Sequence, residues 1–345
     1  MDAHRTARPW LTPRGTNLAL LVVLLLVYAT GAASEATGAP GGWWVTSAHG
    51  VAALAVLALL PHKRRVVARG LRRARSTRWL SLVMAALLAT TLLTGLASAT
   101  GLVTGVGNLG ILWLHIAGAL VVLPLVHWHA LARPTRPRRT DLSRRTALRA
   151  GVLGAVSVAG LGGTEVAVAA LELPGARRRF TGSVETGRLV PALLPPTSWL
   201  DDRAPTVDAG PWRLAVADAA GTSHLALGEL AAFSTTRRVT LDCTSGWYSE
   251  QDWTGVPLSA LLPDRGSARS VLVTSRTGYS ARLPLTDLDR LLLATAVGGA
   301  PLSALHGFPA RLVAPGRRGF WWVKWVDRVE LSSAPPWWRP PFPLT

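Results

Sequence analysis

VTLDCTSGWYSEQDWTGVPLSALL (Val239–Leu262) contains Cys243, the one cysteine among 345 residues. It closes a run, RRVTLDC, that reads as a strand. Small polar residues and two tryptophans, Trp247 and Trp253, follow it. A lone thiol forms no internal disulfide, and iron–sulfur clusters and zinc ribbons each need several thiolates. Two readings are open at this point: Cys243 fills core space, or it is a working metal ligand.

Around this stretch, WRLAVAD, SVLVTSR, ARLVAP and WWVKWVDRVEL also read as strands, rich in Val and Leu with partial alternation. Short helices are expected at LALGELAAF, PLSALL and LTDLDRLLLAT, and a polar, aromatic turn after Cys243. There is no nucleotide-binding glycine fingerprint and no Ser-His-Asp signature. Residues 174–345 are therefore expected to form one α+β domain in which strands dominate.

The preceding half has a different character. Up to Leu173 there are 18 Lys and Arg against 5 Asp and Glu; from Pro174 there are 19 against 14. A basic excess can signal nucleic-acid binding. Here the charges gather at Arg5–Arg14, Lys63–Arg78 and Arg133–Arg149, with long apolar runs between them. That is the pattern of membrane spans with positive cytoplasmic loops, so a lipid bilayer is expected as partner and nucleic acid is not. A span needs about 20 apolar residues. The candidates are Leu18–Ala33, Trp44–Leu60, Trp79–Ala99, Ile111–Leu131 and Ala147–Leu171, with tryptophans 43, 44, 79, 113 and 128 near their ends.

The first run follows a basic amino terminus and reads as an anchor rather than a cleaved signal. Ser34–Trp43 and Thr100–Gly110 carry no Lys or Arg and are expected to face outward. The expected organisation is four spans in residues 1–146, a fifth span in 147–173, and an exoplasmic domain in 174–345 of a multi-pass cell-membrane protein. SRRTALR (Ser143–Arg149) resembles a twin-arginine export motif; it is equally the positive flank that any such span carries.

Histidines in spans are costly and commonly functional. His49 and His115 lie near the outer ends of spans two and four; His62 and His129 lie near the inner ends. His115 and His129 are 14 residues apart, which returns to nearly the same helix face about 21 Å further along. One outer and one inner histidine on each of two helices suits haem b, one group or two, with imidazoles as axial ligands. The spacing resembles that of cytochrome b helices. Small residues near the outer pair, Gly50, Ala117 and Gly118, would admit a flat macrocycle. The alternative is interfacial histidines bonded to headgroups or water.

Three blocks in order, LDCTSGWYSEQDWTGVPLSALL, VTSRTGYSARLPL and LHGFPARLVAPGRRGFWWVKWVDRVEL, resemble the molybdopterin-binding domain of the sulfite oxidase family, which includes methionine-sulfoxide reductases. The resemblance covers roughly Phe180 to Leu331. It implies that Cys243 is the thiolate ligand of molybdenum. It implies that Ser183, Val184 and Glu185, in FTGSVETG, line the pterin or metal pocket, and that Ser275 lies near the metal. His306, Arg311, Trp322, Val323 and Lys324 match positions that hold the pyranopterin and its phosphate. Trp247 and Tyr248 would line a substrate funnel, or else belong to the core.

The neutral run after Cys243 departs from the arginines that sulfite oxidases place around the metal, which weakens a sulfite assignment. The dimerisation domain of true sulfite oxidases has no counterpart here. The resemblance implies oxygen-atom transfer to or from a small-molecule or protein-bound oxo substrate, with a membrane quinone or another redox partner taking or giving the electrons. The alternatives are an inactive binding module and a haem-free enzyme that uses its spans only as an anchor.

Overall fold

The computed structural model describes residues 10–71, 77–107, 109–141, 143–198, 202–232 and 235–338. The basic residues Arg5 and Arg8, and those at 72–75, lie outside the described residues. The chain divides into two compact units, one of residues 1–35 and 41–182, the other of 36–40 and 183–345.

The first unit contains helices α1 (Pro13–Ala36), α2 (Trp43–Leu71), α3 (Arg78–Thr100), α4 (Ile111–Ala132) and α5 (Arg144–Ala170). Each has a stretch long and apolar enough to cross a membrane. Their ends follow ordinary capping chemistry. Pro13 opens α1, where its missing N–H costs nothing, and Thr12 Oγ1 accepts the Gly15 N–H at 3.1 Å. Gly101, at φ 71°, ends α3 in the left-handed conformation that glycine adopts freely. Ser143 caps α5, its hydroxyl accepting the Thr146 N–H at 3.2 Å. Pro61 sits inside α2 without ending it. A short hairpin, β1 (Gly105–Val106) with β2 (Leu109–Gly110), lies between α3 and α4.

Small residues bring these helices together. A Cβ on Gly50 would stand 3.0 Å from Leu161, and one on Gly118 would stand 2.8 Å from Thr91 Oγ1. These two glycines therefore serve α2–α5 and α3–α4 packing.

The second unit holds β3 (Val184–Glu185), β4 (Arg213–Ala217), β5 (Thr222–Ala226), α6 (Leu227–Ala232), β6 (Thr235–Asp242), β7 (Trp247–Pro257), α7 (Leu258–Leu261), β8 (Ser270–Ser275), β9 (Ser280–Pro284), β10 (Leu292–Val297), β11 (Ala300–Pro301), β12 (Arg311–Val313) and β13 (Val326–Ser332). One sheet runs β11–β10–β7–β3, with β6 also on β7 and β12 also on β10; the other runs β5–β4–β13–β8–β9. Most pairs are antiparallel; β3–β7 and β4–β13 are parallel. One apolar core draws on both sheets, with Trp253, Leu293 and Leu312 from the first and Leu214, Val273 and Leu283 from the second.

The expected α+β, strand-rich domain is what forms. Three local expectations need correction. WWVKWVDRVEL is a strand only from Val326; Gly319–Trp321 make a 3₁₀ turn and Trp322–Trp325 are irregular. Within LTDLDRLLLAT only Leu285–Asp287 make a helical (3₁₀) turn, and LLLAT enters β10. Its apolar run is continuous because Leu292, Leu293 and Ala294 are all wholly buried, a pattern that a buried strand shares with a helix. The turn after Cys243 is only Thr244–Gly246, and the aromatic stretch beyond it is an eleven-residue strand, β7. Alternate residues of β7 (Ser249, Gln251, Trp253) point inward, a polar-to-aromatic alternation that conceals the strand in sequence.

Candidate metal and cofactor centres

In the second unit, β6 ends by delivering Asp242 and Cys243 into a tight reversal. The Gly246 N–H donates to Cys243 O at 3.1 Å, and the Cys243 N–H to Trp247 O at 2.8 Å. Gly246 takes φ 96°, which a side chain would resist. The Cys243 thiol is buried, with Sγ 3.1 Å from Ser245 Oγ.

A charged brace lies beside it. Arg318 is wholly buried, and its Nη1 pairs with Asp242 Oδ1 at 2.9 Å. Its Nη2 lies 3.4 Å from Cys243 O, while Ser183 Oγ donates to Asp242 Oδ1 at 2.7 Å. Gly319 follows Arg318, and a Cβ there would come within 3.1 Å of Cys243 Cα. Only a glycine lets this segment lie so close to the cysteine.

Arg311 and Lys324 are neighbouring cations: a Cβ on Gly307 would meet Arg311 at 2.9 Å and Lys324 at 3.3 Å. Arg311 is buried, its guanidinium 5.0 Å from the Trp253 ring and 5.6 Å from that of Trp322. It donates to His306 O at 3.1 Å, and its buried Nε has no hydrogen-bond partner. Burial pulls its pKa down to about 10, so it stays charged at neutral pH. Lys324 Nζ donates to Thr197 O, Leu305 O and Ser198 Oγ. Burial, and then the Arg311 charge, bring its pKa to about 7. Among the described residues neither cation forms an ion pair. A buried guanidinium with an unused donor is costly unless an anion completes it, and phosphate fits its planar donors.

His306 is a positioning group. Its Nε2 donates to Leu194 O at 2.9 Å, so its Nδ1 accepts from Ser303 Oγ at 2.8 Å. Burial lowers its pKa, in keeping with this neutral form. Val323 O accepts the Leu312 N–H, and Trp322 Nε1 donates to Arg317 O. Ser183 is buried on Asp242, whereas Val184 and Glu185 are exposed on β3 beside Trp247 and Tyr248. Trp247 Nε1 donates to Thr197 Oγ1 and its ring packs on the core; Tyr248 is half-buried. Ser275 closes the β8–β9 turn through Thr277. Both of these side-chain bonds are local to that turn. Arg318, Asp242 and Gly319 were not foreseen; the RRG beside the GFPAR block was their one signal.

In the first unit, His49 and His115 face each other, ring centroids 6.1 Å apart at 80°. His49 Nδ1 donates to Val27 O at 3.0 Å, and His115 Nδ1 to Thr91 O at 2.8 Å. A carbonyl can only accept, so each Nε2 is left with a free lone pair. Four residues after each accepting carbonyl stands a glycine: a Cβ on Gly31 would meet His49 at 3.1 Å, and one on Gly95 would meet His115 at 2.9 Å.

The same device occurs twice, in TGAAS (Thr30–Ser34) and TGLAS (Thr94–Ser98), with each threonine hydroxyl 3.4–3.5 Å from the histidine Nδ1. Gly31 and Gly95 thus make room for the imidazole rings, whereas Gly50 and Gly118, expected to admit a macrocycle, pack on Leu161 and Thr91. The inner pair is arranged otherwise. His62 lies against Trp10 with its buried Nδ1 unpartnered, and His129 lies 3.5 Å from Ser81 Oγ and near Trp128. No ring contact joins His62 to His129 among the described residues. Among those residues, too, no group of three His, Cys, Asp or Glu could hold a metal unaided.

Residues 202–337 match the family model "Oxidoreductase molybdopterin binding domain". A nitrate reductase [NADPH] of Phytophthora infestans is 38% identical over 99 residues, covering 25% of this chain and 11% of that one. The protein-methionine-sulfoxide reductase catalytic subunit MsrP of Xanthomonas campestris pv. campestris is 28% identical over 162 residues, covering 39% and 48%. A mitochondrial sulfite oxidase of Rattus norvegicus is 44% identical over 61 residues, covering 16% and 11%. The chain therefore spans half or less of the length of these relatives. Among solved structures, the sulfane dehydrogenase SoxCD from Paracoccus pantotrophus aligns at 25% identity over 38% of this chain and 40% of that one, with a TM-score of 0.36.

Proposed function

We propose that this protein is a membrane-anchored molybdoenzyme similar to the sulfite oxidase family, in which Cys243 ligates the metal and haem b, held by His49 and His115, links the site to the membrane; the match of residues 202–337 to an oxidoreductase molybdopterin-binding domain supports the reading. The observation that carries this reading is the buried Cys243 thiol together with the buried Arg311, whose Nε lacks a partner, and the half-buried Lys324, neither cation in an ion pair among the described residues. A soft thiolate suits a redox metal, and the two cations suit a phosphate. When bound, molybdenum supplies two-electron oxygen-atom transfer, and haem iron supplies one-electron steps.

The chain's own residues have separable tasks. Arg318, Asp242 and Ser183 fix the cysteine backbone. Arg311 and Lys324 grip the cofactor's anionic end, and His306 holds the loop that presents Arg311. Trp247 and Tyr248 line the approach for a small-molecule or protein-bound oxo substrate. The free Nε2 atoms of His49 and His115 take haem iron between α2 and α4, and His62 and His129 are the residues for a second haem. The electron partner is a membrane quinone or another redox protein.

The basic loops support cytoplasmic placement of the inner helix ends, hence a multi-pass cell-membrane protein with an exoplasmic catalytic unit. SRRTALR supports export of that unit already folded. The test is metal analysis together with a reduced-minus-oxidised visible spectrum of the purified full-length protein. Equimolar molybdenum, lost in Cys243→Ser, and b-type bands are expected. Full activity in Cys243→Ser would overturn the molybdenum assignment, and a featureless spectrum the haem assignment.

A further inference from the structure

The geometry points to Arg178 as the residue that anchors a carboxylate of the haem, an inference that rests on the His49–His115 reading. Arg178 lies just beyond α5, in a segment docked on the carboxy-terminal end of α3. The contact is close enough that a Cβ on Gly175 would stand 2.2 Å from Ala99 O. The Arg178 Nη1 donates to Ser98 Oγ at 3.0 Å. Ser98 is three residues beyond Gly95, the glycine packed on the His115 ring, so it lies on the same face of α3, about 4.5 Å further out. Arg178 is therefore held one helical step outward of an imidazole proposed to ligate iron.

Its remaining chemistry is unspent. The Arg178 Nε is buried and has no hydrogen-bond partner, and no carboxylate pairs with the guanidinium among the described residues. Burial lowers its pKa, the mark of a cation taken partly out of water without an anion. The repeated TG-x-A-S device sharpens the contrast. In the first copy Ser34 is bonded to Thr46 Oγ1 at 2.6 Å, whereas in the second Ser98 receives Arg178. One copy is closed within its own helix pair; the other presents a cation. Haem carries two propionate carboxylates on one edge, and a guanidinium meets a carboxylate with two parallel hydrogen bonds.

The experiment is a potentiometric titration of the full-length protein in lipid nanodiscs, read from the b-type bands, with His115→Ala, Arg178→Gln and Arg178→Lys as variants. A cation beside the carboxylate favours the reduced, less positive iron. Arg178→Gln should therefore lower the midpoint potential and speed haem loss to apomyoglobin, while Arg178→Lys, which keeps the charge, should shift it less. Unchanged potential and haem loss in Arg178→Gln would overturn the inference and leave the haem reading standing. If Arg178→Gln fails to fold, reconstitution of the wild type and Arg178→Lys with carboxylate-esterified haem replaces it: a difference in haem loss between the two proteins that disappears with the esterified haem supports the inference, and a difference of the same size with both haems overturns it. Absence from the wild type of bands that His115→Ala abolishes would overturn both.

Discussion

Arg318 and Asp242 are a buried ion pair next to the Cys243 thiol, and such pairs show their worth mainly when one partner is removed. Arg318→Met leaves the Asp242 carboxylate buried and should destabilise the second unit by about 3–5 kcal/mol, whereas Arg318→Met with Asp242→Leu should recover most of it. Thermal unfolding of the full-length protein in detergent measures both; equal losses in the two variants would show that the charges matter through more than each other. Lys324 makes a second residue-scale prediction. Unfolded, it titrates near 10.5; folded and free of cofactor, at about 7. Between those values the unfolded chain holds one more proton, so the stability of cofactor-free protein rises with pH from about 7, and the penalty is complete below it. The wild-type-minus-Lys324→Met difference in Tm between pH 7 and 9 isolates that slope. Cys243, Arg311 and Lys324 were legible because each stands in a dense local block. Arg318 was not, because its partner is 76 positions away and an RR pair reads like any surface charge.

At the scale of elements, the helices were legible because about 20 apolar residues in a row admit few other readings. The strand after Cys243 was not, because its inward residues are Ser, Gln and Trp rather than Val and Ile. What sequence inspection also missed is the pairing of a carbonyl with a glycine four residues on, in α1 and again in α3. Glycine is too common in apolar helices to single out Gly31 or Gly95 without the partner helix in view. Both abut a histidine ring at 3.1 Å or closer, so Gly95→Val must push His115 off Thr91 O. It should remove most of the b-type absorbance while leaving molybdenum content unchanged, and Gly118→Ala, which meets only Thr91, should lose less. α5 carries a further element-scale signal. Arg144 and Arg145 occupy its first turn, where cations oppose the helix dipole. Capping by Ser143 offsets that cost.

For the whole molecule, the two-unit division sets how its parts can fail. Cys243, Ser183, Arg311, Lys324 and Arg318 all belong to the second unit, and His49, His115, Gly31, Gly95 and Arg178 to the first. No proposed ligand of one cofactor is drawn from the other unit, so occupancy of the two centres should be independent. His115→Ala should abolish the b-type bands and retain molybdenum; Cys243→Ser should do the reverse. In the proposed arrangement electrons pass through both centres. Each variant should stop substrate turnover driven by reduced quinone, and only Cys243→Ser should stop turnover driven by a soluble dye that reduces the second unit directly. If His115→Ala also lost molybdenum, the centres would be coupled in assembly, as they would be if the second unit were matured only on a haem-loaded first unit.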